Sequence, residues 1–283
     1  MIYVLLSVCC SVIVSILLKL ARRYEIDVYQ AIGFNYAAAA LLCYWLFKPD
    51  LTNLDSSAPI SIYMTLGFLL PTIFVVMAFS VRYAGIVRTD IAQRLSLLIP
   101  LLAAYLFFGE QFSTVKTGAI SLGLLAVLLS ISWDKNASEN KHSWLFPSTV
   151  FLGFGLIDVL LKQIATFKNL PFTTALFVIF LLALGISMLS LIYLVLLKKM
   201  RITVINLICG LILGVFNFGN IYFYLKAHQA LQTQPSVVFT AMNIGVIALG
   251  SIVGLLLFKE KLSKLNYAGI LLAILAILII ALN

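Results

Sequence analysis

Charge is scarce in this chain. Only 10% of its 283 residues are Asp, Glu, Lys or Arg, where a soluble globular protein carries about 25%. A chain so poor in polar surface cannot cover itself in water, and a soluble fold is excluded. Histidine is rarer still. The two residues, His142 and His228, are too few and too far apart in sequence to suggest a metal site. No His-Glu-x-x-His, Gly-x-Ser-x-Gly or phosphate-cradling glycine loop occurs, which argues against an enzyme of a known motif class and against direct ATP drive. The four cysteines, Cys9, Cys10, Cys43 and Cys209, all fall inside apolar runs with no Cys-x-x-Cys, so neither a disulfide framework nor a metal cluster is expected. No cofactor is expected either.

What the chain has instead is apolar length. It is 63% apolar, with a mean hydropathy of +1.12. A spanning helix needs about 20 mainly apolar residues, and ten such runs can be drawn: Ile2–Leu20, Tyr29–Phe47, Ile60–Val81, Asp90–Phe108 and Thr114–Trp133, then Trp144–Ile164, Phe172–Leu197, Ile205–Leu225, Ser236–Phe258 and Leu265–Leu282. The first run has no positive residue before Lys19 and no small-x-small cleavage site, so it reads as a span rather than a removable signal peptide. All-helical spans are expected, because backbone groups in hydrocarbon must be satisfied within their own segment.

The chain repeats itself. Phe107-Phe108-Gly109-Glu110-Gln111-Phe112-Ser113 returns as Leu257-Phe258-Lys259-Glu260-Lys261-Leu262-Ser263, and Ser15-Ile16-Leu17-Leu18-Lys19 as Asp158-Val159-Leu160-Leu161-Lys162. Two echoes in one order indicate an internal duplication. The polar stretch 134–143 separates residues 1–133 from 144–283, five spans each. An odd number of spans per half inverts the second half, which predicts an all-α integral membrane fold of ten helices in two inverted five-helix repeats.

Charge placement tests the topology. Net charge is +9, which in a soluble protein would suggest nucleic acid; here the bases sit in short loops and no nucleic-acid partner is expected. Thirteen of them lie in the odd-numbered loops, from Lys19 to Lys264, and four in the even-numbered loops, at Lys48, Lys116, Lys168 and Lys226. By the positive-inside rule the odd loops are cytoplasmic and both termini outside, in a cell (inner or plasma) membrane.

Polar groups inside the spans are the candidate functional residues, since a charge near the bilayer centre costs about 2.5–3.5 kcal/mol even on a lenient scale. Asp158 is the one carboxylate deep in a span, and Lys162 follows at i+4, where the two can neutralise each other. They are candidates for proton coupling: an apolar surrounding favours the neutral acid, whereas a lysine one turn away favours the carboxylate. The alternatives are a structural ion pair and a Lys162 that snorkels to the interface. Asn217, Asn220 and Tyr224 are spaced to share a helix face, and with Asn35, Tyr36, Gln93, Arg94 and Asn243 they are the candidates for cavity lining, with interhelical hydrogen bonding as the alternative. Arg94 can pair with Asp90 one turn away or meet an anionic group. Glu110 and Glu260 close spans at the boundary, where they are expected to face water and set the following turn. Gly210-x-x-x-Gly214 and Gly250-x-x-x-Gly254 have the spacing of close helix contacts.

Each half closes with an apolar run, Gly or Lys, then Glu-x-x-Ser and a final helix opening near Gly118 or Gly269. With Gln93-Arg94-Leu95-Ser96-Leu97-Leu98-Ile99-Pro100 running into Phe108-Gly109-Glu110, this resembles the EamA-type branch of the drug/metabolite transporter superfamily, over essentially the whole chain. The resemblance implies a ten-helix carrier with a central cavity between the halves, moving a small-molecule metabolite or drug-like solute by alternating access, proton-coupled or exchanging. The chain departs from that family's habit in two respects: relatives usually keep both termini cytoplasmic, and their second loop is more basic than Lys48–Asn53 here. A membrane-embedded enzyme and a non-transporting membrane scaffold are the alternatives. The bilayer is the expected environment, and the sequence leaves a homodimer undecided.

Overall fold

A computed structural model describes residues 1–51, 58–130, 145–258 and 264–282. Within these, eleven α-helices follow one another: α1 (Ile2–Arg23), α2 (Val28–Phe47), α3 (Ile60–Tyr83), α4 (Ile86–Leu95), α5 (Leu98–Leu106), α6 (Thr114–Ser130), α7 (Leu145–Thr166), α8 (Phe172–Lys198), α9 (Val204–Ala230), α10 (Pro235–Phe258) and α11 (Lys264–Leu282). Among the described residues, seven helices (α1, α2, α3, α7, α8, α9 and α10) are long and apolar enough to cross a bilayer. The protein is an all-helical, multi-pass membrane protein. Large apolar side chains stand on its outside, Trp45 at 80% exposure and Phe107 at 78% among them. In water such a surface would be an aggregation hazard; in a bilayer it is the lipid-facing surface. The linker 134–143 and Glu260 lie outside the described residues.

Helix ends are closed by local chemistry. Asp27 accepts from the Gln30 backbone N–H at 2.9 Å and caps α2, and Thr203 caps α9 through the Asn206 N–H at 3.4 Å. Both caps satisfy a donor that the helix itself leaves free. Lys48 and Lys199 end α2 and α8 in the left-handed region, at φ 44° and 53°.

The run Asp90–Phe108, expected as one helix, is two. It begins earlier, at Ile86, and divides at Ser96–Leu97. Pro100 is the cause: it has no N–H for the Ser96 carbonyl four residues back, and its ring crowds that carbonyl. The freed carbonyl accepts from Ile99 N–H at 3.0 Å instead, and the Ser96 hydroxyl donates back to Gln93 O at 2.6 Å.

Packing runs between the two ends of the sequence. α2 lies against α9 and α8, α1 against α9 and α10, α3 against α7 and α8, and α6 against α11. α9 meets α2 backbone to backbone. A Cβ on Gly210 would stand 2.7 Å from Phe34 Cβ and 2.8 Å from Ala31 O, and one on Gly214 would collide with Asn35 O and stand 2.6 Å from Ala38 Cβ. Most of these obstacles are backbone, or Cβ atoms fixed to it, and cannot swing aside, so only glycine fits. Gly250 differs: a Cβ there would meet nothing within 4 Å, so the second small-residue motif makes no tight contact at that residue.

Candidate functional site

A cavity of about 750 Å³ opens among α1, α2, α3 and α9, a size suited to a small organic molecule. Its mouth carries Glu25, Asp27 and Arg82, at the loop end where α1 and α3 finish and α2 begins. Its walls are apolar, with Val14 and Leu18 from α1, Ile32 from α2, and Phe74, Val75 and Ala78 from α3. Asn35 of α2 and Asn217 of α9 are its deep polar groups. At 1.5 Å per residue they stand about 10 Å and 20 Å along their helices from the mouth end, within the hydrocarbon of a bilayer about 30 Å thick.

Gly214 brings the two helices together here. One turn before Asn217, it lets the α9 backbone rest on the α2 backbone at Asn35. Both side chains are buried, at 2% and 4% exposure, yet Asn35 Oδ1 and Asn217 Nδ2 have no hydrogen-bond partner. A buried polar atom without a partner costs about 1–3 kcal/mol. The residues line the cavity, but these two atoms themselves are packed out of reach of solvent.

Around the mouth, Gln30 holds the two halves of the chain together. Its side chain donates from Nε2 to Arg201 O at 3.0 Å and accepts from Thr203 N–H at 3.1 Å, while the Asp27 N–H donates to Asn206 Oδ1 at 3.2 Å. Sequence reasoning missed Gln30. The available signal was Asp27-x-x-Gln30, a capping-box spacing, although its glutamine reaches across to the loop before α9 rather than back to the cap.

The other expected residues are distributed differently from the expectation. Asn217, Asn220 and Tyr224 do not share one lining. Asn220 accepts the Ser7 hydroxyl of α1 at Oδ1, 2.8 Å, and at its carbonyl, 2.9 Å. Tyr224 turns to α7 and donates to Asp158 Oδ1 at 2.9 Å. Three and seven residues advance the helix by different angles, and in a crowded bundle that is enough to reach three different neighbours. Tyr36 is fully buried against Phe180 of α8, ring centroids 6.4 Å apart, rather than in the cavity. Asn243 donates to Phe239 O of its own helix at 3.1 Å, Gln93 is half-buried, and Arg94 pairs with Asp90 at 2.8 Å.

Asp158 and Lys162 do not form the expected pair. The carboxylate, half-buried, takes the Tyr224 hydroxyl. The lysine is 4% exposed and does not snorkel: its Nζ reaches Thr166 Oγ1 and the Gln232 carbonyl, both at 3.4 Å, and lies 5.0 Å over the Phe108 ring. A carbonyl beyond a helix end and an aromatic face give the ammonium a site of its own. Ser15, the counterpart of Asp158 in the repeat, is exposed and bonds only to Ser11 O of its own helix.

Glu110, expected in water, is buried at 4% exposure. Its Oε2 accepts the Ser236 N–H at 2.8 Å, and its Oε1 accepts the Ser236 hydroxyl at 2.6 Å and Lys116 Nζ at 2.7 Å. The carboxylate thus caps α10, where the helix dipole favours negative charge and Pro235, at the first helical position, has no N–H to satisfy. His228, in the last turn of α9, is fully buried between Tyr224 and Phe239, ring centroids at 4.7 and 4.8 Å, with both ring nitrogens unpartnered. Together Phe108, Glu110, Lys162, Gln232 and Ser236 close the end of the molecule opposite the cavity mouth. Their burial could not be read from positions that looked like helix ends.

No protein-family model matches the chain. A relative from Haemophilus influenzae, described as an uncharacterized protein, is 43% identical over 279 residues, 96% of this chain and 94% of its own. A protein crystal structure matches with a TM-score of 0.74 at 11% identity, over 99% of this chain and 96% of the other. That likeness is one of fold alone.

Proposed function

The chain belongs to the family of that Haemophilus influenzae protein, and from there we propose that it is a secondary carrier moving a small solute by alternating access. The observation that carries this reading is the cavity itself: its charged lining residues stand at the odd-loop end, Asn35 and Asn217 line it at membrane depth, and at the opposite end Glu110 of one half holds Ser236 of the other. A rigid scaffold has no use for a cavity of this size with amide side chains in its lining.

In this reading α4 and α5 form one span, α6 and α11 complete the set, and ten helices make two inverted halves. The neighbour relations support it. Exchanging the halves turns the α1–α9 contact into α7–α3 and the α1–α10 contact into α7–α4 and α7–α5, while α2–α8 and α6–α11 map onto themselves. In the carrier reading the two closures alternate: the α7–α9 seam, held by Asp158 and Tyr224, parts as the cavity between α1 and α3 closes. The thirteen-to-four distribution of basic residues puts the open end in the cytoplasm, and the motif likeness to EamA-type transporters agrees with a metabolite-sized solute.

The test is exchange in proteoliposomes against labelled metabolite pools, together with Val75→Cys in a background without the four native cysteines. Reaction of that cysteine with a small hydrophilic thiol reagent, slowed by the exchanged solute, is the expected result. Exchange of no pool, with cysteine reactivity unaffected by any of them, refutes the carrier.

A further inference from the structure

We infer that a groove between α1 and α9 holds one acyl chain of an anionic phospholipid, whose phosphate lies against the basic turn Lys198-Lys199-Met200-Arg201. The two helices are joined at one end, where the Ser7 hydroxyl donates to Asn220 and a Cβ on Gly219 would stand 3.0 Å from Cys10 Sγ. Toward the odd-loop end they enclose a groove of about 220 Å³ instead, walled by Leu17 and Leu20 of α1 and by Ile205, Cys209 and Ile212 of α9. Among the described residues that line it, none is charged. Its rim faces outward, since Tyr24, Ile205 and Ile212 are exposed, and in a bilayer the medium at such a rim is hydrocarbon. On α9 the lining runs from Ile205 to Leu213, about 12 Å at 1.5 Å per residue. That depth stays within one leaflet of a hydrocarbon core about 30 Å thick. An acyl chain fits there because it asks for no hydrogen bond.

Charge complementarity fixes the headgroup. Lys198, Lys199 and Arg201 are exposed, and the turn that carries them is pinned beside the groove. Buried Gln30 donates to Arg201 O at 3.0 Å and accepts from Thr203 N–H at 3.1 Å, while Ala31 next to it lines the groove and α9 enters the groove wall at Ile205. Gln30 thus holds a basic turn at the level where a lipid phosphate stands, and Tyr24 on the rim is the residue type that sits at that level. An arginine meets a phosphate through paired, charge-assisted hydrogen bonds. The carboxylates of this end, Glu25 and Asp27, line the larger cavity and not the groove. Leu18, Ala21, Ile26, Ala31 and Leu213 line both, so a chain seated in the groove packs on the residues that wall the cavity.

The test titrates dioleoylphosphatidylglycerol and dioleoylphosphatidylcholine, which differ only in headgroup, into the full-length protein in detergent and counts bound lipids by native mass spectrometry. The first phosphatidylglycerol should bind at least about fivefold more tightly than the first phosphatidylcholine, the margin of one base beside an anionic headgroup. Replacing all three bases, by Lys198→Gln, Lys199→Gln and Arg201→Gln, should erase that margin and leave the phosphatidylcholine affinity as it was. Cys209→Trp, which fills the groove, should remove the first binding step of both lipids. The three bases are exposed, so their replacement tests the headgroup even where Cys209→Trp does not fold. Equal affinity for the two lipids, a margin that survives the loss of all three bases, or a first lipid held as tightly by Cys209→Trp overturns the inference. None of these outcomes bears on the carrier reading, which stands or falls on exchange in proteoliposomes.

Discussion

Replacing Glu110 with glutamine should loosen the sealed end of the molecule by about 2–4 kcal/mol. The carboxylate receives three hydrogen bonds, two from Ser236 and one from Lys116, at 2.6 to 2.8 Å. Glutamine keeps one acceptor oxygen but puts an NH2 where the other was, facing either the Ser236 N–H or the Lys116 ammonium. At least one charge-assisted bond is lost, worth about 1.5–3 kcal/mol, and the favourable interaction with the α10 dipole, about 0.3–1 kcal/mol, goes with the charge. Lys116 is left at 14% side-chain exposure without its counter-ion, so Lys116→Met in the same chain should recover part of the loss. Unfolding in mixed micelles by titration with SDS measures each variant, and the double-mutant cycle should give a coupling of about 1 kcal/mol or more. A cost for Glu110→Gln below about 0.5 kcal/mol, the range of an ordinary surface substitution, or strict additivity with Lys116→Met, would refute the capping account.

Gly214→Ala should cost about 1–3 kcal/mol by overpacking against the α2 backbone and weaken solute binding by moving α9 off α2 beside the cavity; Gly250→Ala, with open space around it, should change stability by less than about 0.5 kcal/mol in the same SDS titration. His228→Phe removes two buried ring nitrogens that have no partner and keeps the ring contacts, so it should raise stability by about 1 kcal/mol or more; a loss on thermal unfolding would mean that the imidazole is bonded. Asp158→Asn keeps an acceptor for the Tyr224 hydroxyl and should change stability by less than about 1 kcal/mol. It should also abolish the pH-gradient dependence of uptake while exchange survives, and gradient-driven uptake at the unaltered rate removes Asp158 from coupling. Because Lys162 is bonded elsewhere, Lys162→Met should not alter the Asp158→Asn phenotype.

The sequence by itself determined the solvent, the helices and most of their bounds. Hydrocarbon leaves the backbone one local way to satisfy itself, so apolar length translates directly into helix, and Pro100 marks the break at Ser96–Leu97 in the sequence as well. Asn35 and Asn217 were legible as candidates for the same reason, since an amide at membrane depth needs an explanation. Partnership was not legible. Helical spacing said that Asp158 faces Lys162 and that Asn217, Asn220 and Tyr224 share a side, but spacing fixes only an angle around one helix axis. The partner of each group is decided by which other helix lies at that angle and how near it comes. Gly214 brings α9 onto α2, Ser7 takes Asn220, Tyr224 takes Asp158 away from its lysine, and Ser236 draws Glu110 out of water. Those contacts join residues 66 to 213 positions apart, and in a chain where most side chains are apolar no local pattern distinguishes them. Tertiary packing alone settled which polar groups were consumed by structure and which came to line the cavity.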